Sequence, residues 1–403
     1  QIKLRNRGKV VSLQTKIRHG ENADKFSPLH HAASSRIQIK RTMAQINNEH
    51  HRWRLPAEWE AQDFVQLTWP HRDTDWLPTI GEITATYVQM AKEIARRERL
   101  LIVVPDPEEA LAAIRREAGE AIMRNIFTLA CPTDDTWARD HAFISLTDGS
   151  RRRLLDFRFN GWGDKFEAAK DNAINRNLYA AGLIEGAYED HTDFVLEGGA
   201  IESDGRGTVF TTTGCLLAPH RNQPMDRQGI EDYLKKSLRA ERIVWIDHGQ
   251  LTGDDTDGHI DTLVRTAPGD TLLYVGCDDP EDEQYGELQA MEQQLRTLVT
   301  TDGRPYRLLR LPMPRPIVRD GERLPATYAN FLVVNGAVLY PTYAQPDLDE
   351  KAARAIGLAF PGREIVGIDC RSVVVQHGSL HCCTMQYPKT QPSQLAKFGQ
   401  SDQ

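Results

Sequence analysis

An α/β fold built from a repeated unit of strand hairpin plus helix is predicted by three features of the sequence. Helix-like and strand-like stretches alternate from about Trp53 onward. A polar cluster, a strand, a Gly-containing turn and a second strand recur at three places. No Pro/Ser-rich linker interrupts residues 50–390, so the body reads as one domain built from repeats, although a length of 403 residues would allow two or three.

In chain order, amphipathic spacing predicts helices over Glu82–Glu98, Pro107–Ala118, Phe166–Ala181, Asp226–Arg239, Gln284–Val299 and Leu348–Ala359. Short apolar runs predict strands at Leu100–Val104, Phe143–Leu146, Leu154–Phe159, Val209–Thr213, Ile243–Ile246, Thr271–Val275, Phe331–Val334 and Val338–Tyr340. The repeated unit is seen where Asp140-His141-Ala142-Phe143 leads to the Asp148-Gly149 turn. It returns where Glu197-Gly198-Gly199 leads through Asp204-Gly205-Arg206-Gly207, and where Asn330-Phe331 leads to Asn335-Gly336. Asp-Gly and Asn-Gly are strong hairpin signals, and such a repeat would bring the polar clusters at the strand starts onto one axis.

With 40 % apolar and 26 % charged residues the chain can bury a sizeable core. No apolar run approaches the length of a membrane helix, and the acidic balance argues against nucleic acid as a partner. Residues 1–42 carry ten Lys/Arg against Glu21 and Asp24, so this +8 segment leaves −16 for residues 43–403 out of the total of −8. The basic segment lacks the apolar region of a secretory signal and is read as a leader outside the catalytic domain, which is expected to span 43–403. The acidic body suits a small cationic partner. Six scattered cysteines without a C-x-x-C pair fit a reducing cytoplasm better than a disulfide framework.

Three segments carry chemistry. In His377-Gly378-Ser379-Leu380-His381-Cys382-Cys383-Thr384, a thiol between Gly and His near a strand end is a candidate nucleophile, though a buried structural cysteine is the commoner case. Cys383 is expected on the opposite strand face. In Asp254-Asp255-Thr256-Asp257-Gly258-His259-Ile260-Asp261, an extended backbone would point His259 and Asp261 to one side, an acid/base imidazole with a carboxylate partner. A Ca²⁺ loop is the rival, but its glycine and terminal Glu are out of register. Trp137-Ala138-Arg139-Asp140 and Leu196-Glu197-Gly198-Gly199-Ala200 each put a carboxylate before a strand, as a buried Asp–Arg pair or turn chemistry would also do. Together three carboxylates, a His and a Cys suit chemistry on a guanidinium. That planar, permanent cation needs carboxylates for its N–H fork, a soft nucleophile for its carbon and an acid for departing ammonia.

Six segments in order resemble the bacterial and plant agmatine deiminases and the related bacterial peptidylarginine deiminases, of the guanidine-modifying superfamily. They are Leu55-Pro56-Ala57-Glu58-Trp59-Glu60 with Thr68-Trp69-Pro70, Trp137-Ala138-Arg139-Asp140, Leu196-Glu197-Gly198-Gly199, Thr256-Asp257-Gly258-His259-Ile260-Asp261, Tyr328-Ala329-Asn330-Phe331 and Gly378-Ser379-Leu380-His381-Cys382. The resemblance covers most of residues 53–388. It implies the pentein α/β-propeller fold, with pseudo-fivefold repeats of mixed strands and outer helices around a central site. It makes Cys382 the nucleophile and His259 the general acid/base. Asp140 and Asp261 grip the guanidinium, Glu197 supports His259 or substrate, and Asn330 stands beside the thiol. A covalent thiouronium forms and water releases a ureido product, with no metal or organic cofactor.

Agmatine, converted to N-carbamoylputrescine and ammonia, is the first expectation for substrate; C-terminal peptidylarginine or free arginine is the alternative. A homodimer is compatible with the sequence. Trp69, Trp137 and Trp162 are candidates to line the entrance, as is Arg158, which could receive a substrate carboxylate. Gln376-His377-Gly378-Ser379-Leu380 departs from the Gly-Asn-Ile run common in the family, and Cys383 and Met385 replace a usual aliphatic residue and Gln. From another class, a metal-dependent hydrolase would use His259, Asp261, His377, His381 and cysteines. Carboxylates beside Cys382 should raise its pKa, so the bound cation itself is expected to assist ionisation.

Overall fold

The computed structural model describes residues 53–391; residues 1–42, read from the sequence as a basic leader, lie outside the described residues. Each blade of the fold follows one rule. Two strands pair antiparallel, and the second then pairs parallel with a third strand reached through a crossover. Ile144–Thr147, Arg152–Arg158 and Ala187–Val195 make one such sheet. Glu202–Ser203, Thr208–Thr212 and Arg242–Ile246 make the next, and Val264–Ala267, Thr271–Gly276 and Arg307–Pro312 the third. Leu332–Val334, Ala337–Thr342 and Glu364–Asp369 form the fourth.

The fifth blade joins the two ends of the described chain. Gln62–Thr68 pairs antiparallel with Thr384–Pro388 and parallel with Arg99–Val104, which carries Ile126–Ala130 on its far side. Five blades therefore close a ring of the kind that the resemblance implies.

Local chemistry explains the elements. Arg99–Val104 is apolar after its first residue and buried, as a central parallel strand covered on both faces requires. Helix Pro107–Ala118 starts on Asp106, whose side chain accepts from the Glu108 amide, with Pro107 at its first position. Asp226 caps helix Arg227–Leu238 by accepting from the Gly229 amide, and Arg239 ends it in the left-handed conformation. The Asp148-Gly149 and Asn335-Gly336 turns connect antiparallel strands as expected, with φ of 87° and 80° at their glycines.

The other predicted helices are also found, as Ile80–Ala95, Ala169–Ala180, Tyr285–Thr297 and Pro346–Ala359. Among the described residues no helix is long and apolar enough to cross a membrane, and the six cysteines are all free.

Candidate active site

The site residues occupy the same place in successive repeats, just before the first strand of a blade. Asp140 lies in the short helix Ala138–His141 before Ile144, and Glu197 precedes the turn Gly198–Ala200 before Glu202. His259 and Asp261 flank and enter the turn Ile260–Thr262 before Val264. Asn330 precedes Leu332, and Cys382 precedes Thr384. A ring of five such blades points five strand starts at one centre, which is how residues scattered over some 240 positions meet.

Cys382 therefore stands in a turn rather than on a strand, and Asp261 in a 3₁₀ turn rather than on extended chain. Neither change separates them: Cys382 Sγ is 3.9 Å from Asp261 Oδ2, and Asn330 Nδ2 donates to the sulfur at 3.3 Å. Asn330 Oδ1 also accepts from the His381 amide at 2.9 Å and the Cys382 amide at 3.3 Å, fixing the turn that presents the thiol. Cys383, fully buried, donates its S–H toward the Ser379 carbonyl at 3.4 Å, away from this cluster.

On the other side, Asp140 Oδ1 accepts from the Gly199 amide at 3.0 Å and lies 3.8 Å from His259 Nδ1; its Oδ2 accepts from Trp162 Nε1 at 3.0 Å. Glu197 accepts from Arg221 Nε at 3.0 Å, and its second oxygen is left buried beside His259. The Gly-Gly step after Glu197 is steric in origin. A Cβ on Gly198 would lie 2.2 Å from the Arg139 carbonyl oxygen, and one on Gly199 would lie 2.5 Å from His259 Nδ1. Gly199→Ala is accordingly expected to displace His259 and lower kcat at least about tenfold with the fold retained, checked by steady-state kinetics beside a melting curve.

Electrostatics separate the two carboxylates. Burial, with the charges of Asp261 and Glu197, pushes Asp140 up to about 6 despite the opposing pull of His259. Burial would also raise Asp261, but the bond and charge of His381, helped by His259 and Arg265, hold it below the ordinary range. Burial disfavours a charged His259; Asp140, Cys215 and Glu197 outweigh it and raise its pKa well above the usual value, so the ring is an imidazolium at neutral pH. Burial, then Asp261 and Asp140, push the Cys382 thiol well above its usual range. Protonating Asp140 removes half of the cation grip, so kcat/KM should fall as pH drops through about 6, a limb read directly from a pH–rate profile.

Cys382 and Asp140 line a cavity of about 280 Å³ with Trp137, Trp162, Asp75, Asp135, Asp254, Asp255 and His377. Its wall holds five carboxylates and neither Lys nor Arg. Trp137 donates to Asp135 Oδ2 at 3.0 Å, and Trp162 packs edge-on against it. Two expected lining residues are placed elsewhere. Trp69 is buried against Tyr87 in the core, because it follows directly on strand Gln62–Thr68 beneath helix Ile80–Ala95. Arg158 is exposed at the end of its strand and borders a neighbouring cavity with Lys165.

The histidines and cysteines do not form the metal set that the sequence allowed. His377 Nδ1 faces the Gly253 carbonyl, whereas both ring nitrogens of His381 face carboxylates. Among the described residues only one group of three, Glu197, Cys215 and His259, brings its ligand atoms all within 4.8 Å of one another. Arg221 already pairs with that Glu197 at 3.0 Å, and His259 beside it is itself cationic, which disfavours a metal cation there. Sequence reading assigned no role to Arg221, Arg265 or Glu58; Glu58 and His381 lay inside recognised motifs, but nothing local connected them.

Residues 54–388 match the Porphyromonas-type peptidyl-arginine deiminase family. The chain belongs to that family. The agmatine deiminase of Pseudomonas fluorescens is 33 % identical to this deiminase-family chain over 361 residues, 84 % of this chain and 96 % of the relative. A Porphyromonas gingivalis structure assigned as an arginine deiminase shares 49 % identity at a TM-score of 0.79, covering 84 % of this chain and 98 % of the other. A cysteine-to-serine variant of the C. jejuni agmatine deiminase with substrate bound shares 34 % at 0.77, covering 84 % and 97 %.

Proposed function

We propose that the chain hydrolyses agmatine to N-carbamoylputrescine and ammonia. The observation that carries the choice is the cavity wall: five carboxylates without Lys or Arg suit a substrate that is cationic at both ends. The same wall would repel the carboxylate of free arginine or of a C-terminal peptidylarginine, and Arg158 lies outside it, on an adjoining cavity that shares Asp75, Asp135 and Phe166 with it. The curated and structural relatives named for agmatine support this reading.

Asp140 and Asp261 bracket the guanidinium, the first beside His259 and the second beside Cys382. As the cation docks, Cys382 gives its proton to solvent and the thiolate Sγ adds to the central carbon. The His259 imidazolium then protonates one departing nitrogen, the C–N bond breaks and ammonia leaves, giving a thiouronium on sulfur. Neutral His259 next takes a proton from water, whose oxygen adds to the same carbon; the C–S bond then breaks as the adduct's hydroxyl proton passes to the departing sulfur, giving back the thiol and a ureido product. No step requires a metal, so turnover should survive chelation. Work in the cytoplasm by a catalytic domain of residues 43–403 completes the proposal.

An assay of ammonia and ureido product tests it. Agmatine should exceed arginine and a C-terminal arginine peptide in kcat/KM by at least about tenfold, since a like-charge clash costs 1.4 kcal/mol or more. Turnover of the peptide alone would overturn the choice of substrate.

A further inference from the structure

We propose that His381 and Glu58 are positioning residues that hold Asp261 ionised and aimed, so the segment before the first strand is a working part of the active site. The inference rests on the deiminase reading of the site. His381 bridges two carboxylates: Nδ1 is 2.7 Å from Asp261 Oδ2, and Nε2 is 2.6 Å from Glu58 Oε2. All three side chains are buried, at 1 %, 0 % and 6 % exposure. Arg265 Nη2 also lies 3.1 Å from Nε2, but an unprotonated Nε2 would set its lone pair against Glu58 Oε2 at 2.6 Å, so both nitrogens donate and the ring is cationic.

Glu58 is itself fixed. Its Oε1 accepts from the Val333 amide at 2.7 Å, and Oε2 accepts from Arg265 Nη2 at 2.8 Å with Arg139 Nη2 at 3.9 Å. Arg265 also donates to Glu202 Oε2 at 2.9 Å. Three cations, His381, Arg265 and Arg139, thus balance three buried anions, Asp261, Glu58 and Glu202, beside a cavity of about 60 Å³. Within that balance Asp261 Oδ1 is buried and has no partner of its own, which leaves it for the N–H fork of a guanidinium.

The groups facing Asp261 are His381, His259, Arg265, Arg139, Asp140 and Cys382. Of these His381 makes the one short contact, at 2.7 Å against 3.9 Å for the Cys382 thiol, so its charge should decide whether Asp261 binds a proton at working pH. Glu58 acts one step further back by orienting the ring, in the way a second carboxylate fixes a catalytic imidazole.

His381→Asn keeps a neutral donor near the position of Nδ1 but removes the charge and the link to Glu58. It should move the acid limb of the pH profile up by about one unit, which lowers kcat/KM for agmatine about twofold at pH 7 and about tenfold at pH values below the limb. The limb should also steepen, because Asp261 then titrates in the range of Asp140. Glu58→Gln should move the limb in the same direction by less. A role in folding alone would lower the melting temperature and leave the limb of the folded fraction in place. That result, or wild-type kcat/KM in His381→Asn, overturns the proposal.

If His381→Asn does not fold, Glu58→Gln carries the same test, and failure of both to fold assigns the network to stability instead. Wild-type turnover is measured first. Absence of ureido product there rejects the deiminase reading and this proposal with it, whereas an unshifted variant beside an active wild type rejects positioning alone.

Discussion

Replacing Cys382 by Ser is expected to lower deiminase turnover by at least about 10⁴-fold while the melting curve and agmatine binding stay close to wild type, because a hydroxyl is a far poorer nucleophile and the binding carboxylates are untouched. Ammonia release and calorimetric titration read the two effects separately. Cys383→Ser supplies the contrast. Cys383 is fully buried and points to the Ser379 carbonyl, and burial pushes its thiol up to about 12, so it should not compete for substrate. Most activity should remain in that variant, with a modest loss of stability from placing a hydroxyl in an apolar core. Were the two variants to exchange behaviours, the nucleophile would be Cys383.

The second large effect concerns ionisation. With the Cys382 thiol held well above its usual range by burial, Asp261 and Asp140, the free enzyme should react slowly with neutral iodoacetamide at pH 7 and faster only above about 9. A cationic haloacetamidine of similar size delivers positive charge between the same carboxylates. It should inactivate faster by upward of about 10²-fold at pH 7, since stabilising the thiolate by two units raises its fraction by that factor. Rapid labelling by the neutral reagent, with an inflection well below 9, would show that the thiolate preforms and that substrate is not its counter-ion.

Much of this was legible in the sequence because the repeat is local. Each Asp-Gly or Asn-Gly turn lies within a few residues of the polar cluster that it accompanies, so hairpin chemistry alone aligned Asp140, Glu197 and Asn330 as equivalent positions. The strands that were not foreseen depend on distant partners. Gln62–Thr68 is recognisable only beside Thr384–Pro388, and Ala187–Val195, with Glu189, Asp190 and Asp193, reads as polar loop until Arg152–Arg158 is set against it. Trp69 shows the converse error: a tryptophan within a recognised motif invited a place at the entrance, yet its surroundings are set by the packing of a helix that follows it. The Glu58–His381 contact spans 323 residues, and no spacing rule reaches that far.

The fifth blade differs from the others in one respect with a temporal meaning. Four blades draw their antiparallel pair from a continuous hairpin, whereas this one joins strands from opposite ends of the described chain, and Cys382 sits two residues before the second of them. A nascent chain can assemble four complete blades, carrying Asp140, His259 and Asp261, before Cys382, the proposed nucleophile, has been translated. Chemical competence would then appear in one event, when the final strand docks. A polypeptide abandoned short of that strand would lack both the thiol and His381, the group that aims Asp261.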